Sequence, residues 1–158
     1  MKNQEVARQI QRLQSLISKV REASNDDFAL QAHWARYLCI LVSGFVENGL
    51  KEIYSEFINS KAAKPIADYA ISYLSRLQNP KAEKVMELVG SFRQEWRTEL
   101  ETFLTSDGRK DAIDSIMNNR NQIAHGSDVG ITIVRVSNYF NKIVSVLEFL
   151  EVQCGNKS

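Results

Sequence analysis

Within Arg-Asn-Gln-Ile-Ala-His-Gly, residues 120–126, a guanidinium at Arg120 is followed five residues later by His125, one of only two imidazoles in the chain. Arginine carries a permanent planar charge that forks onto phosphate oxygens, and histidine titrates near neutral pH and so can move protons. A phosphate clamp and a proton carrier are the two requirements for cleaving RNA through its own 2′-hydroxyl. The same letters have a plainer reading. Gly126 suits the left-handed residue that ends a helix, with His125 in a last turn where a cation meets the negative end of the dipole. Spacing alone does not choose, because ten arginines and two histidines in 158 residues give roughly 0.4 such matches by chance. On an ideal helix Asn121 and His125 share a face, whereas Arg120 stands about 140° from His125. Convergence then requires a loosened last turn, a long reach by Arg120, or a second copy of the chain.

A second group of polar residues lies on an apolar background. Residues 34–46 are apolar at ten of thirteen positions, nearly all round a helix, which is the pattern of a central helix packed on several sides. Arg36, Ser43, Glu47 and Lys51 follow at intervals of seven, four and four, within about 80° of one another on a helix. They form one polar seam, either a solvated strip with a Glu47–Lys51 pair or a wall of a functional cleft. His33 has no arginine at the matching upstream spacing and reads as a surface or helix-packing residue. Trp34, Trp96 and Tyr139-Phe140 read as core or dimer contacts. Two histidines with the distant Cys39 and Cys154 make no metal set, and glycine-rich phosphate loops and a nucleophile elbow are absent, so neither metal nor cofactor is expected.

The elements that must position these groups are helical. Two prolines, seven glycines and apolar residues recurring at three-to-four spacing predict an all-α bundle of about five to seven helices. Val6, Ile10, Leu13, Ile17 and Val20 mark a first helix over 5–23. Ser24 or Asn25 then caps a long second helix to about residue 60, with Asp26 and Asp27 in its first turn. Pro65 opens a third helix to about Leu77, and Asn79-Pro80 supplies the cap and first position of a fourth. Gly90-Ser91 is the expected kink or break before Trp96, Leu100 and Leu104 resume the period. A fifth helix covers 109–124, with Ala112, Ile116 and Ile123 inward. Residues 131–136 are β-branched enough to pass for a strand, but Ile133, Val136, Phe140, Ile143, Leu147 and Leu150 keep helical spacing, with Thr132 as cap. The tail from Gln153 is expected to fray.

Composition bounds the rest. A chain of 158 residues, 44% hydrophobic and 25% charged, suits one domain spanning 1–158. Twenty basic against nineteen acidic residues leave a net charge of +1, so nucleic acid would be held locally and not by a global field. Two separated cysteines suit reduced thiols and hence a cytoplasmic setting. No signal peptide is visible at the start, and thirteen apolar residues are too few to span a bilayer, so no membrane association is expected.

With its extra letters (Asn after Arg, a small residue before His, Gly after it, then one long final helix), "RNQIAHG" resembles the signature of the HEPN family, particularly its RiboL-PSP-type branch. "YLCILVSGFVENGLKEIY" resembles that branch's long second helix with its acidic position at Glu47. The resemblance covers most of the chain. It implies an α-helical bundle that dimerises, with two motifs across a shared cleft. It also implies metal-independent endoribonuclease activity leaving a 2′,3′-cyclic phosphate and a 5′-hydroxyl. Carried over, Arg120 would hold phosphate, His125 would be acid or base, and Asn121 would orient or bind, with Glu47, Arg36 and Lys51 in support. A toxin–antitoxin or antiphage setting, with an antitoxin or defence partner, is the expected context. HEPN toxins paired with a nucleotidyltransferase antitoxin carry a modifiable tyrosine two residues after the histidine. Ser127 stands there, so the resemblance does not bring that control to this chain. Other HEPN domains are non-catalytic interaction or RNA-binding modules, commonly lacking the Arg and His, and such a module is the alternative reading.

Overall fold

The apolar stripe of the first helix is the inner face of α1 (Gln4–Ala23), where Val6, Ile10, Leu13, Ile17 and Val20 are all buried. In the computed structural model, which describes residues 1–156, six further helices follow: α2 (Phe28–Lys61), α3 (Lys64–Leu74), α4 (Ala82–Phe92), α5 (Gln94–Leu104), α6 (Arg109–Ala124) and α7 (Ile133–Asn156). No strand occurs among the described residues. At 34 residues α2 is the axis of the bundle, about 51 Å long. It packs most extensively on α7, then on α6, α1 and α3.

The α2–α7 seam is the centre of the core. Leu38, Val42, Val46 and Leu50 of α2 and Val136, Phe140, Ile143 and Leu147 of α7 are all buried, and Phe45 meets Phe140 with ring centroids 5.3 Å apart. Gly49 makes the close approach possible. A Cβ there would stand 2.5 Å from Leu147 Cδ1, and Leu147 is itself buried. At the start of α7, Thr132 accepts from the Arg135 N–H through its hydroxyl, so the β-branched run is helical as expected.

Several local expectations are corrected. Asp27, and not Ser24 or Asn25, caps α2, its carboxylate accepting from the Leu30 N–H, and the first turn of α2 holds no acidic residue. Ser24 instead ends α1, buried, with its hydroxyl donating to the Val20 carbonyl. Asn79-Pro80 does not start α4. Asn79 takes a left-handed φ of 42°, Lys81 is the cap position, and the carboxylate of Asp114 on α6 accepts from the Ala82 N–H in place of a local cap. The break between the fourth and fifth helices falls at Arg93, in extended backbone, and not at Gly90. The third helix stops at Leu74.

The apolar run of α2 is not covered all round. Tyr37 and Ile40 are 49% and 41% exposed, and Leu30 and Phe28 lie open at the same end. Gly44 has nothing within 4 Å of a notional Cβ. Leu30, Tyr37, Ile40 and Gly44 share one helix face by their spacing, which is an unpartnered stripe. No described helix is long and apolar enough to cross a membrane.

Candidate active site

The turn that closes α6 is built from two hydrogen bonds. His125 is the cap residue, Gly126 adopts φ 75°, the Gly126 N–H donates to the Ile123 carbonyl at 3.0 Å, and the Ser127 N–H donates to the Gln122 carbonyl at 2.9 Å. This is a Schellman closure, which satisfies carbonyls that a helix end leaves orphaned. His125 is exposed, and its ring makes no hydrogen bond or ion pair among the described residues. Its imidazole is therefore presented to solvent from a fixed backbone.

Arg120 lies one turn earlier and half-buried, with Nη1 donating to Asn121 Oδ1 at 3.4 Å. The helix stays regular between them, the His125 N–H donating to the Asn121 carbonyl at 3.1 Å. No loosened turn brings Arg120 round to His125, and about 140° still separates them.

The charge of Arg120 is felt at the lower part of the α2 seam. Glu47 accepts from Lys51 Nζ at 2.8 Å through one carboxylate oxygen and from the Asn79 N–H at 2.9 Å through the other. Burial pushes the Glu47 carboxyl up. The Lys51 and Asn79 hydrogen bonds, with the nearby charges of Lys51 and Arg120, outweigh this and hold it below the ordinary carboxylate range. The Glu47–Lys51 pair is thus no free solvated strip: it is 22% and 26% exposed and fastens the α3–α4 turn to α2.

Arg36 joins a different group. Its Nη1 donates to Asp128 at 2.9 Å, in the loop after the motif, and its Nη2 lies 3.3 Å from His33 Nδ1. Arginine has only donors, so this Nδ1 accepts, which places the proton of a neutral His33 on Nε2. Eleven residues separate Arg36 from Glu47, about 16 Å along α2. The seam therefore splits, with Glu47 and Lys51 on the α3–α4 turn and Arg36 on the loop that follows His125. Ser43, between them, is buried with its hydroxyl on the Ile40 carbonyl.

Asn79 and Asp128 were not legible as members of this region. Asn79-Pro80 carried a helix-start signal, and a single aspartate in a loop carries none. Cys39 is a poor nucleophile candidate, since burial pushes its thiol up to about 12 and it sits 3.6 Å from the Ile116 carbonyl. Cys154 is likewise pushed to about 12, by burial and then by Glu151. Among the described residues no group of three or more His, Cys, Asp or Glu is arranged to hold a metal ion. A surface groove of about 670 Å³ lies between α2, α3 and α4, lined by Tyr69, Tyr73, Leu77 and Phe92 among others, and none of Arg120, His125 or Glu47 reaches it.

A long central helix carrying an acidic residue, packed on a helix that closes with Arg, Asn and His, is the plan of a HEPN domain. The chain matches the family model RiboL-PSP-HEPN over residues 4–156 and belongs to that family. Neither the curated proteins nor the solved structures gave a match.

Proposed function

We propose that this protein is a metal-independent endoribonuclease, acting in the cytoplasm as one domain over residues 1–158. The observation that carries the reading is the closing turn of α6 in a chain of this family: an unpartnered imidazole on a rigid helix end, one turn from an arginine. In the proposed reaction a base takes the proton of the RNA 2′-hydroxyl and O2′ attacks the neighbouring phosphorus. The P–O5′ bond breaks and an acid protonates the leaving oxygen. The products are a 2′,3′-cyclic phosphate and a 5′-hydroxyl. His125 serves as acid or base, Arg120 as the fork on the non-bridging oxygens, and Asn121 as an orienting group. Glu47 and Lys51 act in support through the charge that Glu47 shares with Arg120, and Arg36 steadies the loop after His125 through Asp128.

A homodimer supplies what one chain lacks. The open stripe of Leu30, Tyr37 and Ile40 on α2 offers the apolar contact for a second copy, which brings a second Arg and His to the cleft. A toxin–antitoxin or antiphage role with a partner protein is the setting we favour. The divergence of Arg120 and His125 around α6 favours the second reading, a non-catalytic interaction or RNA-binding module. Purified protein incubated with RNA in EDTA separates the two. Cleavage that survives chelation, with cyclic phosphate ends, supports the nuclease, and intact RNA under folded conditions supports the module.

A further inference from the structure

The surface groove between α2, α3 and α4 has a volume of about 670 Å³, the size of a site for a small organic ligand and not of a whole protein face. Leu74, Leu77, Leu88 and Phe92 give it an apolar floor, and the Phe92 ring is fixed by stacking on Tyr54 with centroids 4.9 Å apart. Its rim is unusual. Tyr69 and Tyr73 line the groove and are 76% and 66% exposed, and among the described residues neither ring has a stacking partner and neither hydroxyl a hydrogen bond. Rings this open add nothing to the core, and two of them side by side make a surface that binds. Arg76 follows three residues after Tyr73, just beyond the end of α3, and also lines the groove. It is exposed, and its guanidinium has no ion pair among the described residues, whereas the acid on the same groove, Glu87, is paired with Lys84 at 3.1 Å. Two open rings and an unpaired planar cation match a ligand with flat apolar faces and a negative charge between them.

We propose that this groove binds single-stranded RNA, with a base stacked on each of Tyr69 and Tyr73 and a neighbouring phosphate forked by Arg76. Every base has a π-face, so such a platform holds a strand without reading its sequence. Four residues separate the two tyrosines, about 6 Å along α3. Phosphates along one strand of a DNA duplex are spaced at roughly 3.4 Å. The wider interval suits the splayed bases of a single strand, and a duplex keeps its base faces stacked and out of reach. None of Arg120, His125 or Glu47 reaches the groove, so it holds a part of the strand away from the bond that is cut. The inference rests on the reading above that this chain acts on RNA.

The test is fluorescence anisotropy of the full chain with a labelled, 2′-O-methylated RNA strand of about twelve nucleotides, which cannot be cut through a 2′-hydroxyl, measured over a range of salt concentrations. All three side chains are exposed, so their variants should melt close to wild type. We expect Tyr69→Ala and Tyr73→Ala each to weaken binding by on the order of tenfold with an unchanged salt dependence, and Tyr73→Phe to bind as wild type does. Arg76→Gln should lower the slope of log affinity against log salt by about one. The same strand annealed to its complement should bind more weakly. Wild-type affinity retained in both alanine variants overturns the inference and gives the groove to a protein segment or to a second copy, and a change of mass on Tyr73→Ala in light scattering identifies the second copy. A loss in Tyr73→Phe equal to that in Tyr73→Ala also overturns it, because stacking survives that change. A wild type that binds no strand yet cleaves RNA in EDTA overturns the inference and leaves the nuclease reading standing, and one that does neither overturns both.

Discussion

Replacing Gly126 with alanine isolates what the helix-closing turn does for His125. The residue has φ 75° and open space where a Cβ would go, so the substitution introduces no clash, only the cost of a left-handed backbone. For a residue with a Cβ that cost is roughly 1–2 kcal/mol. In a chain of this length each kcal/mol lowers the melting temperature by about 2–4 °C, so a fall of about 2–8 °C is expected. If the turn instead escapes the strain by leaving the left-handed region, the bonds from Gly126 to Ile123 and from Ser127 to Gln122 are lost. The Arg36–Asp128 contact, two residues on, then shifts too. Cleavage should fall in that case even at temperatures where the protein is fully folded. Gly126→Asn is the control, since asparagine visits this region more readily, and it should recover most of both losses. Thermal melts and cleavage rates on the same preparations check it. Melting temperatures for both variants equal to wild type refute the claim that the left-handed turn is required. A Gly126→Ala protein whose amides at positions 126 and 127 have lost protection from hydrogen exchange, yet whose cleavage is unchanged, refutes the coupling of that turn to His125.

Other outcomes follow from the same geometry. His125→Ala should lower cleavage by about 10²–10⁴-fold, the usual worth of a positioned proton-transfer group. Arg120→Lys should fail nearly as badly, since a point charge does not replace a planar fork, and circular dichroism should show both folded. The Glu47 carboxyl is held below its ordinary value of 4.5, so its contribution to stability is complete above that pH and is lost as pH falls through the lowered value. Denaturant melts of Glu47→Gln should show a weaker loss of stability on acidification below 4.5 than wild type, together with a lower rate of cleavage. Ile40→Arg places a charge in the open stripe of α2 and, if the proposed dimer forms through that stripe, should convert it to monomer in light scattering without unfolding the chain.

What could be read from the sequence tracks the range over which each feature is determined. The stripe of α1 and the span 109–124 of α6 are set by local periodicity and by Gly126, and both are found as expected. Starts of helices were less legible, because a cap depends on which of several adjacent polar residues reaches the backbone. Ser24 turned inward to Val20, leaving Asp27 to cap α2. Asp114 caps α4 from another helix, 32 residues away, which no local pattern encodes. Spacing places Arg36, Ser43, Glu47 and Lys51 on one face of α2, but not the division among them, which depends on how the α3–α4 turn and the loop after α6 meet that face. His33 reads as a surface or helix-packing residue, and it is exposed, with an i,i+3 contact to Arg36 within α2 that helical spacing alone permits.

Two of the three ways of joining Arg120 to His125 lose support in the structure. The helix is regular through Ala124, so the last turn has not loosened, and the Arg120 guanidinium rests on Asn121 and not on His125, so it has not reached round. The remaining way is for the arginine of one copy to serve the histidine of the other. Mixing two inactive variants tests this directly. In a heterodimer of Arg120→Ala with His125→Ala, the intact Arg120 and the intact His125 come from different chains. If the site is shared, one of the two clefts is complete and the other lacks both groups. Random exchange makes half of the dimers mixed, each with one working site of two, so activity should return to about a quarter of wild type, although neither variant alone is active. Exchange of subunits before the assay, followed by mass spectrometry of the intact dimers, verifies that mixed species are present. Mixed dimers without activity would mean that Arg120 and His125 must act within one chain, or that all four groups are needed at once. The first result removes the shared-site account of this motif; the second leaves one cleft built from both arginines and both histidines. Mixing wild type with His125→Ala tells them apart, because those mixed dimers keep one working site in the first case and none in the second.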